Sequence, residues 1–351
     1  MSIFAVTKRK IEKIWKHPNA DTLDLAQVEG LGYQFCIRKD SYKVGEEVIY
    51  FPIDSILSAD LSDHLKIKNF LAGKEKNRIK TIKLRKEISQ GLITTLDNIE
   101  KWLKFKPDWN VVDITQLTKV QKYEPPEILI KNAYLRHLPK GVPVYDLESA
   151  DNFPNWLDAL LNKRVCITEK IEGTNFSATI TTEQEFFVNQ RNFTIIPKED
   201  NPEGHTFWII ANELKLKEKL ITLQKEFPNQ QITFRGELIG PGIQKNIYKL
   251  KNFKVLFFDI LIDKKYLDGL DWLKIYATLN LETVPVLAKD ILLINWLQKF
   301  SLKDASNGFS ILIDKQLREG IVIKPIIEET IEDQRLILKQ RSPEYLANSD
   351  F

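Results

Sequence analysis

The sequence predicts an α+β protein, with a small β-barrel in front and a larger domain of antiparallel sheets and flanking helices behind. Three observations predict it. Residues 1–100 alternate short β-branched or aromatic runs with turn signals. Residues 106–130 hold prolines and little periodic apolar pattern. From 131 onward, strand-like and helix-like segments are interleaved. The expected division is a barrel domain over 1–105, a linker over 106–130 and a second domain over 131–351.

In the front part the strand candidates are 23–28, 32–38, 46–52, 79–84 and 91–96, with turns at 17–21, 30–32 and 43–46. A short helix is expected over 98–105. Behind the linker, strands are expected over 164–171, 175–181, 185–190, 231–239, 254–261, 319–326 and 335–340. The stretch 205–227 reads as a helix, with Phe207, Ile210, Ala211 and Leu214 on one face and Leu216, Leu220, Leu223 and Phe227 on another. A second helix is expected over 290–300, with Asp290 as N-cap and Leu293, Trp296, Leu297 and Phe300 on one side.

Composition bounds the function classes. The 351 residues suffice for two domains, and 43% hydrophobic with 28% charged residues excludes a long disordered chain. The net charge is +3 despite 51 Lys and Arg, so a nucleic-acid partner is allowed but not demanded. Cys36 and Cys166 stand outside any C-x-x-C pattern and read as small core residues, not as a zinc site or disulfide. No secretory segment and no run of ~18 apolar residues is present, which points to a soluble, cytoplasmic protein without a membrane partner. Nothing in the pattern requires more than a monomer.

The chemistry-bearing strings begin at Thr168-Glu169-Lys170-Ile171-Glu172-Gly173-Thr174-Asn175. A lysine amine is a nucleophile only when deprotonated, and a strand end before a glycine turn can project it into a cleft. Alone, K-x-x-G occurs by chance in a lysine-rich chain, and an exposed strand-end lysine is its ordinary reading. Further strings follow in order. Asn189-Gln190-Arg191 comes one hairpin later. Phe234-Arg235-Gly236-Glu237 precedes a Gly/Pro loop, and Phe257-Phe258-Asp259 ends a hydrophobic run. Glu319 and Lys324 bracket a buried strand, while Lys339 and Arg341 share one strand face.

This ordered set, over about 164–346, resembles motifs I, Ia, III, IIIa, IV and V of the covalent nucleotidyltransferases, the polynucleotide ligases and mRNA capping enzymes. The wording is most similar to RNA ligases of the second T4 type. His17-Pro18-Asn19-Ala20-Asp21-Thr22-Leu23, together with 48–57 and 78–92, resembles the OB module of RNA ligases of the Deinococcus and Naegleria type, which precedes the catalytic domain. The front barrel is therefore expected to be an OB-fold. The few residues after Arg341 leave no expected room for a trailing OB domain.

The resemblance implies an ATP-dependent RNA ligase. Lys170 would take AMP covalently, pass it to a 5′-phosphate end, and a 3′-hydroxyl would then seal the strand. Lys324 and Lys339 would join Lys170 in catalysis on the α-phosphate. Glu169 would read the adenine, Phe258 would stack on it, and Asn175, Arg191 and Arg341 would contact ribose and phosphate. Glu172, Glu237 and Glu319 would hold hydrated Mg2+ or Mn2+. The family has aspartate where Glu172 stands, and a second lysine where Arg341 stands. Arg78, Lys80, Lys83 and Arg85, with Lys86, are candidates for nucleic-acid phosphate contacts, the partner being RNA or an RNA-containing duplex. Alternatives are a DNA ligase or capping-type enzyme, disfavoured by Thr174-Asn175 after the glycine, and an OB-type RNA- or tRNA-binding protein with an inactive catalytic domain.

Overall fold

The computed structural model describes residues 4–73, 75–123, 133–198, 201, 204–298, 300–331 and 334–348. The chain divides into two compact units, 2–127 with 148–155 and 343–351, and 128–147 with 156–342. Part of the expected linker, 124–130, lies outside the described residues. The stretch 106–123 carries helix Thr115–Thr118 and strand Gln121–Lys122, which pairs with Ser55–Ile56.

The first unit holds a five-stranded antiparallel sheet in the order Phe35–Arg38, Leu23–Val28, Thr7–Lys16, Glu47–Phe51, Leu92–Thr95. Thr7–Lys16, its longest strand, was not among the expected strands. Only Thr7 and Ile11 of it are buried, and the lysines between them mask the alternation. It is nonetheless central, pairing through Ile11–Lys16 with one neighbour and Thr7–Lys10 with the other. The segment just before Leu92–Thr95 reaches the opposite outer strand: Gln90 N–H donates to Gln34 O at 2.9 Å, and Cys36 N–H donates to Ser89 Oγ at 3.0 Å. The sheet thereby nearly closes into the expected OB-type barrel. Val48 and Tyr50 pack into one core with Phe35, while Ile49 and Phe51 pack into another with Leu61 and Ile99. That two-sided burial is why 46–52 reads as a continuous apolar run.

Helix Leu96–Leu103 follows, two residues earlier than expected, with the Thr95 side chain accepting from Asn98 N–H as N-cap. Between the fourth and fifth strands stands a hairpin, Ile82–Leu84 with Glu87–Ser89. Its two-residue turn places Arg85 (φ 47°) and Lys86 (φ 76°) in the left-handed region, where Asn-Gly is usual.

The second unit contains a seven-stranded antiparallel sheet in the order Ala133–His137, Phe193–Pro197, Phe186–Asn189, Thr174–Ile180, Ile232–Ile239, Lys254–Ile262, Lys265–Tyr266. Phe176, Ala178, Phe234 and Phe257 form its apolar face, packed with Phe207, Ile210, Leu216 and Leu220. Asn175, Ser177, Arg235, Glu237 and Asp259 form the opposite, polar face by register. A second sheet runs Leu338–Arg341, Gly320–Pro325, Arg164–Lys170, Val286–Leu292.

Two helix expectations are corrected. The single helix over 205–227 is two helices, Thr206–Glu213 and Leu216–Gln224, broken where Lys215 adopts φ 51°. The two apolar faces read from the sequence belong to two separate helices. Asp290 is not an N-cap; it lies in strand Val286–Leu292 and pairs with Arg164 at 2.5 Å. Pairing with Arg164–Lys170 claims this stretch for the sheet, leaving only Leu293–Leu297 helical and Phe300 63% exposed. No described helix is long and apolar enough to cross a membrane.

Candidate active site

Lys170 ends strand Arg164–Lys170, opposite Gly320 on the neighbouring strand. Its Nζ lies 2.7 Å from Glu319 Oε2. The approach depends on two glycines. A Cβ on Gly320 would lie 2.2 Å from Gln340 O, and one on Gly173 would lie 2.6 Å from Leu238 O. Only glycine lets the chain turn after the lysine and lets three strands come together beside it.

The next strand continues the site. Gly320 pairs with Arg341, and Val322, opposite Thr168, pairs with Lys339. Directly opposed residues share a sheet face, so Lys170, Lys339 and Arg341 face the same way, with Arg341 ~10 Å across two strand spacings. Arg341 Nε is 3.3 Å from Glu319 Oε1, so Glu319 holds both cations.

Two more carboxylates stand nearby. Burial pushes Glu172 up to about 7, with repulsion from Glu319 adding to it and Lys170 opposing. Burial likewise pushes Glu237 up to about 8, with Lys170 and Arg191 opposing and Glu319 reinforcing. Both Glu172 carboxylate oxygens are buried without a hydrogen-bond partner, while its N–H donates to Tyr248 Oη at 2.9 Å. Among the described residues, no group of three or more His, Cys, Asp or Glu is arranged to ligate a metal directly. The orphaned Glu172 oxygens and the mutual repulsion of these acids instead suit a hydrated dication, whose waters can donate to them.

Glu169 points to the other sheet face. Its Oε2 accepts from Ile311 N–H at 2.9 Å, and its Oε1 is buried without a hydrogen-bond partner. Burial raises its pKa, against hydrogen bonds from Ser310 and Ile311. Asn175 lies opposite Glu237, and its Oδ1 is also buried and unpartnered. Arg191 is exposed and paired with Asp146 at 2.8 Å.

Phe258 sits at a register shift: Asp259 faces Arg235, but Phe257 faces Gly236. This bulge turns Phe258 out of the core alternation, while Phe257 stays fully buried. The Phe258 ring lies 4.9 Å from that of Tyr145. Its carbonyl accepts from Lys324 Nζ at 3.3 Å.

Lys324 is not brought to Lys170. It lies opposite Cys166, ~13 Å along the strand from the Lys170 level. Its ammonium donates to the fully buried Asp259 at 3.1 Å and lies 4.7 Å from the Trp272 ring. Arg335 takes the other Asp259 oxygen at 2.9 Å, Tyr145 donates to it at 3.1 Å, and Tyr276 donates to the Asp259 carbonyl. Burial alone would raise the Asp259 carboxyl; Arg335 and Lys324 outweigh it and hold the group below its ordinary value. Tyr145, Tyr248, Ile311 and Arg335 carry no motif, so sequence reading missed them.

In the first unit, Arg78 is not a free surface cation. It is bound to Asp54 at 2.5 Å, and its guanidinium lies 3.6 Å from the Tyr123 ring. Lys83, Arg85 and Lys86 are exposed at the hairpin, and Lys80 is half-buried.

An RNA ligase family profile matches residues 163–341, and an OB-fold domain profile matches 5–96. No curated protein sequence matches the chain. Among solved structures it is similar to a Naegleria gruberi RNA ligase mutant with ATP and Mn (TM-score 0.78, 24% identity, 97% of this chain and 98% of that one). It is similar to the same organism's RNA ligase with PPi (0.77, 24%, 98% and 98%). A further match is a mutant of that ligase with AMP and Mn (0.77, 24%, 97% and 98%).

Proposed function

The chain belongs to the RNA ligase family, and on that premise we propose that it joins RNA 3′-hydroxyl and 5′-phosphate ends at the expense of ATP, with Lys170 as the adenylate carrier. The observation that carries this reading is the Lys170–Glu319 pair, bounded by Glu172 and Glu237 and backed by Arg341 on the same face. The Naegleria gruberi ligase structures with ATP, AMP, PPi and Mn support the choice of nucleotide and metal.

The reaction runs in three phosphoryl transfers. Lys170, released from Glu319 and deprotonated, attacks the α-phosphorus of ATP. The N–P bond forms as the bond to pyrophosphate breaks. The RNA 5′-phosphate oxygen then displaces lysine and takes the adenylate. Finally the 3′-hydroxyl attacks that 5′-phosphorus and AMP leaves. Lys339 and Arg341 neutralise charge on the phosphoryl oxygens. Glu169, through its unpartnered oxygen, and Asn175 orient the nucleoside, and Phe258 offers its ring face to the purine. Arg191 serves the phosphate side once Asp146 yields it. Mg2+ or Mn2+, held through water by Glu172, Glu237 and Glu319, would supply charge neutralisation. Lys324 acts through Asp259 and Phe258 rather than on phosphate.

The 1–105 OB module would grip RNA through Lys80, Lys83, Arg85 and Lys86, ahead of an adenylyltransferase domain over 131–351. We read the protein as a monomer working in a reducing, cytoplasmic setting, in keeping with its two free cysteines. The test is sealing of matched nicks that differ only in ribose or deoxyribose at the 3′-hydroxyl. Faster joining of the ribose nick is expected. Equal rates would remove the RNA preference, and absence of joined product from either would remove the ligase.

A further inference from the structure

The polar face of the seven-stranded sheet continues past the catalytic residues to an exposed outer edge. Register carries the face outward. Asn175 and Glu237 oppose each other, and Ser177, two residues on from Asn175, opposes Asn189. Asn189 opposes Thr194, and Thr194 opposes Arg136. Alternate positions therefore place Tyr134, Arg136 and Phe187 on the face that bears Glu237.

At this edge the strand Ala133–His137 is exposed at four of its five residues, with Tyr134 63% exposed. The Arg136 guanidinium lies 5.2 Å from the Phe187 ring centroid, and Lys198 Nζ lies 6.0 Å from that of Tyr134. Each ring thus has a cation beside it. Along the strand, Tyr134 and Arg136 are ~7 Å apart, so one base can stack on the ring while a neighbouring phosphate meets the guanidinium.

We propose that this edge, Tyr134 and Phe187 with Arg136 and Lys198, is a docking strip for single-stranded RNA beyond the reacting ends. The inference rests on the reading of RNA as the substrate and extends it to a second place of contact. The strip lies four strand spacings, ~19 Å, from the strand of Glu237. That is roughly six nucleotides at a stacked 3.4 Å rise. The strip therefore grips the body of a strand whose end is reacting and has no part in adenylate transfer. Stacking tolerates any base, so the strip confers affinity without sequence preference.

The test uses the full chain and an 18-nucleotide 5′-phosphorylated RNA. The double variant Tyr134→Ala, Arg136→Ala is expected to bind this RNA roughly tenfold more weakly. Its logarithmic salt slope should fall by about one. Self-labelling with α-labelled ATP should match wild type, and Tyr134→Phe, which keeps a stacking face, should bind the RNA as wild type does. RNA affinity of the double variant within twofold of wild type would overturn the strip. So would a wild-type dimer in sedimentation that the double variant breaks without loss of RNA affinity, which would make the edge a contact between copies. Failure of wild type to take label would instead count against the adenylate carrier and leave the RNA-binding comparison readable.

Discussion

Lys324 and Asp259 form a buried pair at 3.1 Å that ties the two sheets of the second unit together just behind Phe258. With Arg335 on the other carboxylate oxygen, Asp259 is shared between two cations, and Arg335 has Glu328 as a second partner. Replacing Asp259 by Asn would leave Lys324 buried without its counter-charge. The expected loss is about 3–5 kcal/mol in urea unfolding at neutral pH.

The same pair makes stability depend on acid. The folded Asp259 carboxyl lies below its ordinary value, so its stabilising contribution is present above that value and is lost as pH falls through the folded one. The stability gap between wild type and Asp259→Asn should therefore be widest near neutrality and narrow below about pH 4. A gap independent of pH would show that the carboxylate charge is not what stabilises the fold.

Phe257 and Phe258 are adjacent but face different surroundings. Phe257→Ala should cost about 3–5 kcal/mol of stability through the cavity it leaves. Phe258, half-buried against the core edge and Tyr145, should cost less stability than Phe257 when changed to Ala, yet weaken ATP use in the self-labelling step, read as a raised KM. Equal stability losses for both, with ATP use unchanged in Phe258→Ala, would make Phe258 a packing residue like Phe257.

How much of this was legible in the sequence differs by residue. Lys170, Glu237, Glu319, Lys339 and Arg341 stood in ordered strings, and the structure brings Lys170, Glu319 and Arg341 into contact or register. Lys324 stood in the same strings, but its string could not show that Asp259, 65 residues away, holds its ammonium. Thr7–Lys16 escaped notice because lysines cover a strand whose place in the sheet is set by its neighbours. Asp290 looked like a helix cap because capping residues are common before apolar runs, whereas long-range pairing with the Lys170 strand decided the outcome.

The hairpin turn at Arg85 and Lys86 supplies a separable prediction. Changing Lys83, Arg85 and Lys86 to Ala should weaken RNA binding more at low salt than at high salt and flatten the salt slope. Self-labelling should not change. An unaltered salt slope would mean that these cations are merely solvated.

The most direct test of the adenylate carrier is label transfer from α-labelled ATP with Mg2+ or Mn2+. Wild type should acquire acid-labile label that maps to Lys170, Lys170→Ala should acquire none, and Glu319→Ala should be labelled at a rate lower by roughly two orders of magnitude. Equal labelling of Lys170→Ala and wild type, or an unlabelled wild type with both metals, would contradict the account.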